Sequence, residues 1–157
     1  MNSIITDHYP VFEMYQSLRM QLLTILGDDD LGFSPGGDNL TLGQLCLEIG
    51  EVQQSYIDSF RTFTQDFSYR HDDPTIAGSV EGLSAWYQAL DAELKAAVSA
   101  LSEDDIQNRE IERGFAVKPF IQLEVYKEAL LIFYGKVTVY LRAMGLEPTE
   151  QWREWIV

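Results

Sequence analysis

The sequence predicts an all-α fold: an up-and-down-type four-helix bundle, with a long crossover before the fourth long helix and a short helix at the C-terminus. Three observations predict it. Four stretches carry apolar residues at steps of three and four. Most of them open on a capping residue or a proline and close on a glycine or a loop-forming cluster. Only one short segment, in the crossover, has the β-branched and aromatic character of strands. All 157 residues are read as one domain, since no repeat, low-complexity tract or linker divides the chain.

The first helix is expected from about Asp7 or Pro10 to Leu26. Val11, Tyr15, Leu18, Leu22 and Ile25 make its stripe, widened by Phe12, Met14 and Leu26. Gly27 and the acidic run Asp28–Asp30 end it, and LGFSPGGDNL follows as a loop. The run fails as a calcium loop: counting from Asp28, the sixth position is Phe33 and the twelfth Asn39, where Gly and Glu are needed. Thr41 and Gln44 form a capping box that opens the second helix. Leu42, Leu45, Ile49, Val52, Tyr56, Phe60, Phe63 and Phe67 give it a heptad-like seam, which marks a helix packed lengthwise in a bundle. Glu48 borders that seam. The segment YRHDDPTIAGS is a surface loop, because His71, Asp72 and Asp73 are adjacent and converge poorly on one ion. Ser79 caps the third helix, whose stripe is Leu83, Trp86 or Tyr87, Leu90, Leu94, Ala97 and Leu101.

Beyond Ser102 a short helical turn is expected at Asp105 to Arg109. REIERGFAVKPF then carries the chain across the bundle end, with a small strand pair. The fourth long helix is Pro119 to Gly145, roughly 40 Å at 1.5 Å per residue. Pro119 suits its first turn, Gly145 its stop, and Pro148 prevents resumption. Ile121, Val125, Ala129, Phe133, Val137, Tyr140 and Met144 form its expected inner face, with Lys136 the odd charge on that side. Thr149 caps a tail helix docked by Trp152, Trp155 and Ile156.

Composition limits the function. With 25 acidic and 11 basic residues the net charge is −14, which repels nucleic-acid backbones and anionic membrane surfaces. Hydrophobic residues make up 46 % of the chain, enough for a sizeable core, but no run is long enough to span a bilayer. MNSIITDHYP lacks the basic start and apolar stretch of a signal peptide. The single cysteine, Cys46, excludes an internal disulfide and a CxxC zinc site. A cytoplasmic protein is the simplest expectation.

Two stretches go further. LTLGQLCLEIGEVQQSYI resembles the second-helix signature of the DinB-like family, also described as YfiT-like metal-dependent hydrolases. ALLIFYGKVTVYLRAMGLEPTEQW resembles that family's fourth helix and tail, on the Gly135–Lys136 pair and the run Tyr140-Leu141-Arg142-Ala143-Met144-Gly145. The resemblance implies a bundle whose core holds a divalent metal on three histidines. One comes from the second helix, at the place of Glu48. Two come from the fourth, at the places of Ala129 and Phe133. A histidine pair at i and i+4 presents both imidazoles to one ion. Alanine and phenylalanine cannot ligate, and the chain has only two histidines, both outside these helices. Tyr134 stands where the family has an arginine. The family's thiol-transfer and mycothiol-dependent isomerase chemistry, which uses the metal to activate a thiolate, therefore has no physical basis here.

The expected function is that of a metal-free DinB-like module that binds a small ligand or a protein and is associated with stress. Pairing as a homodimer is also expected. The expected cofactor set is empty. Glu48 and Lys136, with Tyr134 or Tyr140, either form a polar cluster at the former metal position or reach the rim while Phe133 fills the core. The second reading is favoured. An enzyme would instead use Glu48 as acid or base, with Lys136 and Tyr134 nearby. Candidate pocket-lining residues are Trp86, Tyr87, Tyr126, Ala129, Phe133 and Tyr140. A third alternative keeps a divalent transition metal on carboxylates such as Glu48, Glu51 and Glu128. Cys46 has no sequence neighbour that would activate its thiol and is read as structural.

Overall fold

The computed structural model describes all 157 residues. Four long helices are present: α1 (Tyr9–Ile25), α2 (Leu42–Thr62), α3 (Val80–Ser99) and α5 (Pro119–Met144). Two short ones are α4 (Glu103–Asn108) and α6 (Glu150–Trp155), and the crossover carries the strands β1 (Ile111–Glu112) and β2 (Ala116–Val117). A π-helical turn, Ile4–His8, leads into α1, and 3-10 turns occupy Asp28–Gly32 and Pro74–Gly78. The acidic run after α1 is thus a tight turn rather than open loop. Around the bundle the order is α1, α3, α2, α5: α2 packs on both α3 and α5, and α1 closes the ring against both. No helix is long and apolar enough to cross a membrane.

The local signals act as their chemistry requires. Thr41 accepts from the Gln44 amide at 3.1 Å, while the Gln44 side chain accepts from the Thr41 amide at 2.8 Å. Ser79 caps α3 through the Gly82 amide, and Thr149 caps α6. Pro119 opens α5, and Gly145 closes it in the left-handed conformation (φ 69°), with the Leu146 amide bonded to the Leu141 carbonyl. Glycine also permits one close approach. A Cβ on Gly43 would lie 1.9 Å from the Ala77 carbonyl oxygen, so α2 and the 3-10 turn before α3 meet backbone to backbone.

The crossover is sewn to the end of α2. β1 and β2 pair antiparallel, and Glu112 also bridges Thr64 in parallel: its amide donates to the Phe63 carbonyl at 3.0 Å and its carbonyl accepts from Gln65 at 2.8 Å. Phe63, the cap of α2, is left-handed (φ 60°), and the Arg109 guanidinium stacks 3.3 Å above its ring.

Two stripes differ from the sequence reading. In α1 the buried residues are Tyr9, Phe12, Gln16, Leu18, Arg19, Leu22 and Leu23, whereas Val11 and Met14 are exposed. The polar Gln16 and Arg19 interrupt the apolar signal on the face that turns inward. In α5 the buried face is Gln122, Leu123, Tyr126, Leu130, Phe133, Tyr134, Val137, Thr138, Tyr140 and Leu141. Ile121 and Lys136 are exposed, and Val125 and Ala129 only half-buried, so the inner face lies about one residue round from the expected one. Phe133, Val137 and Tyr140 are buried as expected; both faces of this helix are apolar enough to mimic a core face, so polarity alone placed the stripe one residue off toward its N-terminal end. On α2, the seam stops at Phe63, and Phe67 is exposed.

Candidate functional site

The residues singled out in the sequence divide among three places. The first is the outer surface between α2 and α5. Glu48, on the second turn of α2, projects at the junction of three depressions. One, of about 440 Å³, is bounded by Pro35, Asp38, Asn39, Leu40, Leu45, Lys136, Val139 and Tyr140. A second, of about 160 Å³, has Leu45, Ile49, Val52, Ala129, Ile132, Phe133 and Lys136 around it. The third, of about 330 Å³, runs the other way past Gln44, Leu47 and Glu51 to Phe67 and Arg70. Together they make a trough with an apolar floor and charged edges.

Glu48 and Lys136 both border the first two depressions, both are exposed, and no ion pair joins them. Phe133 is buried beneath them, and the Tyr140 hydroxyl donates to the Leu40 carbonyl at 2.7 Å. Lys136 thus lies at the rim, not on the inward side: a helix turned by one residue carries its long stem out to water.

Metal coordination finds no ligand set. No group of three His, Cys, Asp or Glu side chains is placed to hold a metal ion. Glu51 instead accepts from the His71 amide at 3.0 Å, so Glu48, Glu51 and Glu128 do not make the carboxylate site considered above. Glu48, Ala129 and Phe133 do not fit a three-histidine centre either, for want of nitrogen donors.

The second place is the core, and there the structure holds what the sequence did not announce. Arg19 of α1 is wholly buried. Its Nη2 meets Oδ1 of Asp91, on α3, at 2.6 Å, and its guanidinium carbon lies over the Tyr87 ring, 3.8 Å from the ring centre. Asp91 Oδ1 also accepts from Gln16 of α1 and, at 3.0 Å, from Gln53 of α2. One carboxylate oxygen therefore ties three helices. Burial works against the arginine's charge, but its surroundings, the Asp91 carboxylate among them, outweigh that and raise its pKa. Burial pushes the Tyr87, Tyr126 and Tyr134 hydroxyls up, so all three stay neutral. Tyr87 donates to the Cys46 carbonyl at 2.5 Å and Tyr134 to the Tyr15 carbonyl at 2.6 Å. Tyr9 and Tyr126 hydroxyls, Nε and Nη1 of Arg19, and Oε1 of Gln53 have no partner. Tyr87, Tyr126 and Tyr134 serve as core packing around a cation and line no part of the trough.

Trp86 occupies the third place. It covers Gly50 of α2, where an added Cβ would lie 2.3 Å from its ring, and His71 stands edge-on to it at 4.5 Å. The signals that could have found Arg19, Gln16 and Gln53 were their positions at i, i+3 and i+4 from buried neighbours.

Among solved structures, the chain is similar to a DinB-like protein, YjoA, from Bacillus subtilis. The TM-score is 0.70 and the identity 16 %, over 88 % of this chain and 92 % of that one. That likeness establishes a DinB-like fold. No family model matches the sequence, and no curated protein does.

Proposed function

We propose that this chain is a metal-free, DinB-like binding module, and that its ligand is a small molecule held in the trough between α2 and α5. The observation that carries this reading is the meeting of three depressions at Glu48, at the place the family resemblance assigns to the metal. Pockets of a few hundred Å³ with apolar floors and a few polar groups are what small ligands need. Leu45, Ile49, Val52 and Phe133 offer the apolar contact. Lys136 takes an anionic group and Glu48 a cationic or hydrogen-bond-donating one, so the ligand is a compact molecule with an apolar body and polar ends. Tyr140, fixed by Leu40, shapes one wall. Tyr134 packs the core and is given no part in binding.

The test has two parts. Elemental analysis of dialysed protein is expected to find no stoichiometric transition metal; finding one overturns the metal-free reading. A fragment screen followed by amide chemical-shift mapping is expected to give ligands that perturb residues around Glu48, Val52 and Lys136, with Glu48→Ala and Lys136→Ala each weakening them about tenfold. Ligands that map elsewhere, or none at all from a broad charged and amphipathic set, overturn the site.

A further inference from the structure

We infer that the end of the trough between α2 and the loop after it seats a protonated primary amine, whose apolar tail runs on toward α5. The inference rests on the reading of the trough as a small-ligand site and adds the chemistry of the ligand's cationic end.

The seat is the depression of about 330 Å³ that Leu47, Glu48, Glu51 and Val52 of α2 share with Phe67 and Arg70 of the following loop. Glu48 and Glu51 stand at i and i+3 on one helix, so their Cβ atoms lie ~5–6 Å apart on one face. Two carboxylates at that spacing can share the N–H donors of one ammonium.

Neither carboxylate is satisfied by the chain itself. Glu48 is exposed and pairs with no lysine or arginine. Glu51 is only 13 % exposed, yet its Oε1 takes a single hydrogen bond, from the His71 amide at 3.0 Å. Its Oε2 faces Nε of Arg70 at 3.9 Å, too far for a hydrogen bond. A carboxylate taken that far out of water calls for donors on both oxygens. Arg70 does not close the gap, because its Nη1 donates to the carbonyls of Phe67 and Tyr69, at 2.8 and 2.6 Å.

Phe67 is the second mark of an amine. It lies beyond the buried seam of α2, stands edge-on to Tyr56 at 6.0 Å, and is 48 % exposed in the wall of this depression. An aromatic ring beside a counter-charge is how proteins hold organic ammonium ions. A metal ion fits the place poorly, because no third acidic or imidazole ligand joins the pair and the remaining walls are apolar.

The tail has a defined route. Glu48 and Val52 border both this depression and the one of about 160 Å³ that also holds Ile49, Ala129 and Phe133. A ligand with its nitrogen between Glu48 and Glu51 therefore passes over Val52 onto an apolar surface. Lys136 stands on the α5 edge of that surface and would repel a second cation, so the ligand is a monoamine rather than a diamine. The net charge of −14 attracts any cation to the chain, and it is head and tail together that select this class.

Titration of the chain with hexylamine, 1-hexanol, hexanoate and methylamine at neutral pH and physiological ionic strength, followed by amide chemical shifts, tests this. Hexylamine is expected to saturate, with shifts at Leu47, Glu51, Val52 and Phe67. It should bind at least ~tenfold tighter than hexanol, which lacks the charge, and methylamine, which lacks the tail. Hexanoate is expected to leave those residues unshifted. Glu48→Gln and Glu51→Gln keep the side-chain size and an acceptor, and each is expected to weaken hexylamine at least ~fivefold while leaving hexanol unchanged. Hexanol or hexanoate binding as tightly as hexylamine overturns the inference, as does a glutamine variant that holds hexylamine as well as wild type; the trough then remains a site for uncharged or anionic ligands. Hexylamine shifts that spread over the acidic surface without saturating overturn it too. If none of the four probes perturbs the trough, the amine seat is lost, and the trough itself is decided separately by the fragment screen.

Discussion

Replacing Asp91 by leucine removes the one carboxylate that meets the buried Arg19. The arginine side chain is 0 % exposed and Asp91 27 % exposed, so the two partners are not equivalent. Without Asp91 the guanidinium has no counter-charge, two of its nitrogens already lack acceptors, and Gln16 and Gln53 lose theirs. Leaving one member of a buried pair behind costs about 3–5 kcal/mol. Partial hydration on the Asp91 side puts the figure near the lower end, about 3 kcal/mol, a large share of the ~5–15 kcal/mol that holds a domain together. For a chain of this size that is a fall of roughly 6–12 °C in Tm. The reverse change differs. Arg19→Met leaves a carboxylate that still reaches water and two glutamine amides, with an unbranched apolar side chain in the arginine's place. Its cost is expected to be smaller than that of Asp91→Leu, because the carboxylate left behind is partly hydrated and keeps its two glutamine donors. The double variant Arg19→Met with Asp91→Leu should be more stable than Asp91→Leu alone. Urea unfolding followed by far-UV circular dichroism measures all three. An Asp91→Leu cost under about 1 kcal/mol, or an Arg19→Met variant worse than Asp91→Leu, would refute the claim that the arginine is the uncompensated member.

Two further outcomes follow from ionisation. Burial pushes the Cys46 thiol up to about 12, against an opposing effect from Tyr87 and Arg19. Buried and held as the thiol, Cys46 should react with a disulfide reagent only after urea unfolding, and rapid stoichiometric labelling of the native protein would contradict this. At α4, hydrogen bonds from Ser3 hold Glu103 below its ordinary 4.5, and those from Ser102 hold Asp105 below its ordinary 3.8. A carboxylate lowered by folding stabilises the folded state fully above its ordinary value and loses that contribution as pH falls through the lowered one. Amide exchange in residues 103–108, corrected for intrinsic rates, should therefore accelerate on going from neutral pH to about pH 3 while the cores of α2 and α5 stay protected. Unchanged protection of α4 would count against it.

How much of this was legible beforehand depended on how local the signal was. Thr41 with Gln44, Ser79, Thr149, Pro119 and Gly145 fixed their helix ends because a cap is decided within four residues. The small strand pair was also readable, from Gly114 (φ 93°) between β-branched and aromatic residues. The choice of face on α5 was not, because Ile121, Ile132 and Val139 are as apolar as the buried residues and only neighbouring helices decide which side they cover. Arg19 was missed for the opposite reason. A charge is normally read as a surface position, and its partners Asp91 and Gln53 come from helices far along the chain. At the trough, the identities of Glu48, Ala129 and Phe133 were enough to discount a histidine site, but the exposure of Lys136 needed the true rotation of α5.

The stitch between Glu112 and the residues around Phe63 has a consequence for the order in which the chain folds. α5 meets α2 across a long stretch of intervening sequence, and closing such a loop is the slow, entropically costly part of assembling a bundle. Once Glu112 has bonded to Phe63 and Gln65, that closure is already made, and Pro119 begins its helix only seven residues from a fixed point. Docking of the fourth helix onto α2 then spans only a short length of free chain, with the short strands as the clasp between them.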